Sequence, residues 1–163
     1  MLRFFTEYSP ENSGQALITL QNYSGASIAQ APYPIGKSKR MKTILIVDDD
    51  LGFAFWLGQA LDRAGFETWP AQSIVAAKSL LAEVKLAVDL LVIATSLPRA
   101  SSFAAELGRG KADFKVIAVH PERGEGVEPI PDATVIRKKP PIIDTNARLE
   151  WVQLVRNLVA TED

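Results

Sequence analysis

Residues 89–98 read DLLVIATSLP: an acid, five apolar residues in a row, two hydroxyls, then Leu97-Pro98. An unbroken apolar run of this length marks a strand covered on both faces, as in parallel sheets flanked by helices. The proline closes it, because the residue before a proline is pushed out of helical conformation. In an open α/β sheet, the loop that follows such a strand reaches the edge where ligands and chemistry sit. This strand delivers Ala94, Thr95 and Ser96 to that edge.

The flanking sequence repeats the theme. KTILIVDDD (42–50) is a short apolar run, Ile44 to Val47, ended by three aspartates. In FAFWLGQALDRAG (53–65), apolar residues at 53, 56, 57, 60, 61 and 64 have the spacing of a one-sided helix, and Gly65 suits its stop. FETW (66–69) predicts a second strand. SIVAAKSLLAEVK (73–85) predicts a second helix with Ser73 as N-cap. After the opening strand come a short helix in SSFAAELGRG, strands at KVIAV (115–119) and ATVIR (133–137), and a last helix over 144–159. Leu149, Val152, Val155 and Val159 are expected on one side of that helix. Strands alternating with helices at these lengths imply right-handed βαβ units and a parallel sheet with helices on both faces. Between strands four and five, PERGEGVEPIP (121–131) holds three prolines and two glycines in eleven residues. It reads as a loop, so the fourth helix of the series is degraded.

The totals fit one α/β domain. The chain has 163 residues, 47% hydrophobic and 23% charged, with net charge −1. Nothing in that balance points to nucleic acid or to an anionic membrane. The absence of cysteine excludes disulfides, thiol nucleophiles and thiolate metal sites. No apolar run approaches the roughly 18 residues of a membrane span, and Glu7, Pro10 and Glu11 interrupt the N-terminal apolar start, so a secretory signal is not expected. Cytoplasmic localisation is the expectation. Residues 1–40 lack periodicity, carry charge +2, and end in Lys37, Lys39 and Arg40. They read as a flexible tail ahead of a folded domain over 41–160, with a short strand at most in ALITL (16–20). Met41 could equally be the translation start. The basic cluster reads as a solvated linker in preference to a nucleic-acid or membrane handle.

Three strand ends meet at the carboxyl edge: Asp48-Asp49-Asp50, the Ala94–Ser96 loop, and Lys138-Lys139-Pro140-Pro141. Adjacent carboxylates suit Mg²⁺, and a neighbouring lysine can bind a phosphoryl group or pair with the carboxylates. Alternatively, the aspartates cap the first helix at its positive end. The order IVDDD, amphipathic helix, D-LLVI-x-x-x-LP and Lys-Pro resembles the receiver domain of two-component response regulators, over about residues 42–159. The resemblance implies a flavodoxin-like (CheY-like) doubly wound sheet of five parallel strands in the order 2-1-3-4-5. It assigns Asp48 and Asp49 to a Mg²⁺-holding pair and Lys139 to phosphoryl contact, with a cis Lys139–Pro140 bond.

The same resemblance exposes departures. Counting back from Pro98 or forward from Asp89, the phosphorylated aspartate falls on Ala94. His120 stands where a hydroxyl is normal, Ile136 where a switching aromatic is normal, and Ser101-Ser102 where an Asp-Gly turn is usual. An acyl phosphate needs a carboxylate, which a methyl cannot supply. The resemblance thus implies a phosphorylation-independent, non-enzymatic receiver acting on a protein partner: a histidine kinase, a phosphotransfer protein or another regulator. A homodimer is compatible with it, and no cofactor is required beyond weak Mg²⁺ at Asp48 and Asp49. Because the chain ends straight after the last helix, output is expected from its own surface, with exposed parts of Trp56, Trp151 and the last helix as candidate contacts, although helix-spaced tryptophans more often belong to the core. Competing readings are a small-ligand or metal sensor at the Asp48/Asp49/Lys139 edge, and a phosphotransfer protein with an acceptor displaced to Thr95 or Ser96. His120, the sole histidine, reads as a partly exposed filler of the missing switch in preference to a base, phosphoryl acceptor or pH sensor.

Overall fold

A computed structural model describes residues 40–121, 129–140 and 144–159. Five strands, β1 (Thr43–Val47), β2 (Glu67–Ala71), β3 (Leu90–Ala94), β4 (Lys115–His120) and β5 (Val135–Lys138), alternate with four helices. These are α1 (Leu51–Arg63), α2 (Ile74–Val84), α3 (Ala100–Gly108) and α4 (Thr145–Val159). All strand pairs are parallel and the sheet order is β2-β1-β3-β4-β5, as the resemblance implied.

The two central strands explain the apolar runs. Every residue of β1 and β3 is buried, and alternate side chains supply two separate cores. Ile44, Ile46, Leu90 and Val92 face α1 and α4, meeting Phe53, Leu57 and Trp151. Leu45, Val47, Leu91 and Ile93 face α2 and α3, meeting Ala77 and Phe103. The register Val47↔Ile93 places the next residues of these adjacent strands, Asp48 and Ala94, at the carboxyl edge.

Local chemistry sets the ends of the helices. Asp50 caps α1 by accepting from the Phe53 N–H at 3.1 Å, and Gly65 follows it with φ +92°, a conformation glycine adopts without steric cost. Ser73 caps α2 by accepting from the Ala76 N–H at 3.2 Å. The second strand runs two residues further than FETW suggests, through Pro70 and Ala71. It lies at an edge of the sheet, where a proline's missing N–H is tolerated.

Three expectations need correction. The tryptophans are not surface contacts: Trp56 and Trp151 are 9% and 5% exposed, gathered around Phe53 with ring centroids 5.9 and 5.6 Å away. The buried face of α4 runs through Ala147, Trp151 and Val155, with Val152 and Val159 packed beside it; of the expected stripe Leu149 alone is exposed, because it lies two residues, more than half a turn, from both Ala147 and Trp151. No peptide bond among the described residues is cis, so Lys139–Pro140 is trans. With that bond trans, the Lys139 side chain still reaches the strand ends. The degraded-helix reading of 121–131 falls mostly on 122–128, and the tail reading on 1–39, both outside the described residues.

Candidate functional site

The carboxyl edge is organised around one ammonium. Lys139 follows β5, and its backbone N–H donates to the His120 carbonyl at 2.9 Å. Its Nζ donates to Asp48 Oδ1 at 2.7 Å, lies 3.5 Å from Asp50 Oδ2, and sits 5.1 Å from the centroid of the Phe53 ring. Phe53 is itself fully buried, so the cation rests on the apolar core with carboxylates on its outer side.

Asp48, at 1% exposure, is as buried as the strand it ends. Its Oδ1 also accepts the Asp50 N–H at 2.8 Å, whereas its buried Oδ2 has no hydrogen-bond partner. Burial pushes the Asp48 carboxyl above the ordinary value of 3.8, and the Lys139 and Asp50 hydrogen bonds pull it back only in part. Asp50 behaves oppositely: the Phe53 N–H at the head of α1 holds its carboxyl below the ordinary value, with Lys139 adding to the effect. Asp49 is exposed; Ser96 Oγ donates to its Oδ1 at a long 3.5 Å.

The structure therefore brings Asp48 and Lys139 together, but the second carboxylate on the lysine is Asp50, not Asp49. Three consecutive aspartates look alike in sequence. The turn into α1 decides which one points inward, and the N-cap role of Asp50 was the available signal.

On the adjacent loop, the Ala94 methyl is 2% exposed at the end of β3. The Thr95 hydroxyl is also buried, donates to the Val119 carbonyl at 3.1 Å and lies 3.4 Å from His120 Nδ1. The carbonyl holds the hydroxyl proton, and the imidazole nitrogen stands at the long limit of a hydrogen bond from the oxygen. His120 is half-buried at the end of β4, beside Thr95, a contact that the β3–β4 register creates and the linear sequence does not display. Ile136 is 60% exposed on β5. Arg99, directly after Pro98, takes a left-handed conformation (φ 65°) at the start of α3, a costly choice for a residue with a Cβ.

Parallel strands in the order 2-1-3-4-5, helices on both faces and acid–lysine pairing at the carboxyl edge now stand together. The fold is that of a receiver domain. A receiver domain protein (CheY-like) from Methanospirillum hungatei JF-1 matches with TM-score 0.55 and 20% identity, over 73% of this chain and 94% of that one. The signal receiver domain of an HD domain-containing protein from Pseudomonas fluorescens Pf-5 matches with TM-score 0.57 and 21% identity, over 76% and 100%. A response regulator from Thermotoga maritima gives 0.56 and 14%, over 75% and 100%. No protein-family model and no curated protein matches the chain. The likeness is thus one of architecture.

The edge of this receiver fold does not fit a resident Mg²⁺ ion. Such an ion takes carboxylates in a near-octahedral oxygen shell. Here Lys139 holds Asp48 Oδ1, Asp49 is exposed, and the third strand end contributes a methyl. Among the described residues no group of three His, Asp or Glu side chains is placed to hold a metal. The orphaned Asp48 Oδ2 is the single feature that would favour a cation. Among the described residues, no helix is long and apolar enough to cross a membrane.

Proposed function

We propose that this chain is an atypical receiver in two-component signalling that works without phosphorylation. It docks a protein partner in one fixed conformation, or competes with an active receiver for that partner, which is a histidine kinase, a phosphotransfer protein or another regulator. The observation that carries the reading is the buried methyl of Ala94 beside the closed Asp48–Lys139 pair. A methyl cannot become an acyl phosphate, and a lysine already neutralised needs no phosphoryl group to fix its position. With no differential ligand, nothing shifts the domain between two states. No enzymatic turnover is part of this reading, and no cofactor is required.

Titration with beryllofluoride and Mg²⁺, followed by amide NMR, tests it. No saturable shift is expected at residues 94–96 or at Lys139; such shifts would overturn the reading. Mg²⁺ alone should bind at millimolar concentration or weaker, and tighter binding would favour a metal-sensing edge instead. Ala94→Asp is the complementary experiment. If this variant binds beryllofluoride while the parent chain does not, the nucleophile is what the site lacks.

A further inference from the structure

At the opposite, amino edge of the sheet lies a concavity of about 260 Å³. Four cations line it, Arg40, Lys42, Lys111 and Lys115, against two acids, Asp89 and Asp113. We propose that this pocket binds a small organic phosphate monoester, a dianion carrying an apolar body.

The balance of charge supports a dianion. Asp89 is fully engaged: its Oδ1 takes Arg40 at 2.7 Å and Lys42 at 3.5 Å, and its Oδ2 accepts the Thr43 N–H at 2.8 Å. One carboxylate thus serves two cations. Lys111 contacts the Val88 carbonyl at 3.5 Å and the Phe114 ring, 5.2 Å from its Nζ. Among the described residues no carboxylate is within ion-pair distance of Lys111 or Lys115. The lining carries two more positive charges than negative ones, and a phosphate monoester above its second pKa supplies two. Toward the described residues Arg40 uses two of its five N–H donors, on the Ala87 carbonyl and Asp89. A guanidinium fork with spare donors suits a tetrahedral oxyanion.

The apolar lining supports the apolar body. Val88, Phe114 and Leu158 line the same pocket as the cations. The position of the Phe114 ring is built in: a Cβ at Gly108 would lie 2.9 Å from Phe114 Cδ1, so the bare glycine at the end of α3 lets the ring seat there. The turn that follows, closed by the Lys111 N–H on the Gly108 carbonyl at 3.0 Å, carries Lys111 across the ring.

The test is an amide NMR titration of the full chain at physiological ionic strength, with phenyl phosphate, inorganic phosphate and phenol as separate probes. Phenyl phosphate is expected to shift residues 88–89 and 111–115 saturably. Inorganic phosphate should shift the same residues more weakly, and phenol should leave them in place. Lys111→Gln combined with Lys115→Gln removes two charge-assisted contacts and should weaken phenyl phosphate binding about tenfold or more. Both lysines lie at the surface or half-buried, and a dispersed spectrum of the variant shows that it folds. Shifts that never saturate, or equal affinity in the doubly substituted chain, would overturn the proposal. Because the two sites occupy opposite edges of the sheet, that failure would leave the reading of the Ala94 edge untouched.

Discussion

Two cation–aspartate pairs stand at opposite ends of the same sheet, each 2.7 Å long. At the carboxyl edge, Lys139 and Asp48 are 17% and 1% exposed. At the amino edge, Arg40 and Asp89 are 58% and 15% exposed. Equal distances conceal unequal energetics. An exposed pair gains little, because water screens it and two side chains lose freedom. A buried pair is costly to break, because the surviving charge stays desolvated. The carboxyl edge is therefore a structural lock on the fold, while the amino edge keeps its cations available.

The largest expected effect is at the lock. Lys139→Met leaves Asp48 buried with the Asp50 N–H as its remaining donor, and should cost about 3 kcal/mol in urea unfolding. Adding Asp48→Asn to that variant removes the stranded charge and should recover most of the loss. A cycle without coupling would break the comparison. Stability against pH gives the sign independently. Asp48, with its folded pKa raised, stabilises fully below its ordinary value of 3.8, and that contribution is lost as pH rises through the folded pKa. Asp50, with its folded pKa depressed, stabilises above 3.8 and loses that contribution as pH falls through the folded pKa. Asp48→Asn should flatten the slope just above pH 3.8, and Asp50→Asn the slope below it. Lys139→Met should steepen the fall above pH 3.8, since it removes the partner that holds the Asp48 shift down.

How much of this the sequence displays depends on how local each cause is. The strands β1 and β3 were readable because burial on both faces forces every position to be apolar. The caps at Ser73 and Gly65 were readable because each is decided within one turn. Pro70 hid the end of β2, since proline punctuates a sequence without revealing whether the strand carrying it lies at an edge. At the site, the Asp48 and Lys139 placements follow from strand ends, whereas the reading of Ala94 as an acceptor position comes from the resemblance to receiver domains. Asp50 as the lysine's second partner does not follow from strand ends, because the turn into α1 decides which aspartate faces inward, and its N-cap position is the one sequence clue to that turn. The Thr95–His120 and Arg40–Asp89 contacts join residues 25 and 49 positions apart, and only the assembled register brings them together.

The amino edge offers smaller effects. Asp89→Ala removes the acceptor of the Thr43 N–H at the start of β1 as well as the partner of Arg40. Leaving that partly buried donor unpaired should cost about 1–2 kcal/mol. Arg40→Ala leaves Asp89 with Lys42 and with the Thr43 N–H, so its cost should stay below about 1 kcal/mol. Salt separates the two cases further. The Arg40 effect should shrink as ionic strength rises, because an exposed pair is screened, whereas the Lys139 effect should persist. If Arg40→Ala destabilised the chain as much as Lys139→Met, distance rather than burial would govern both pairs. The amino-edge cations would then be tied into the fold as firmly as Lys139, with nothing to spare for a ligand.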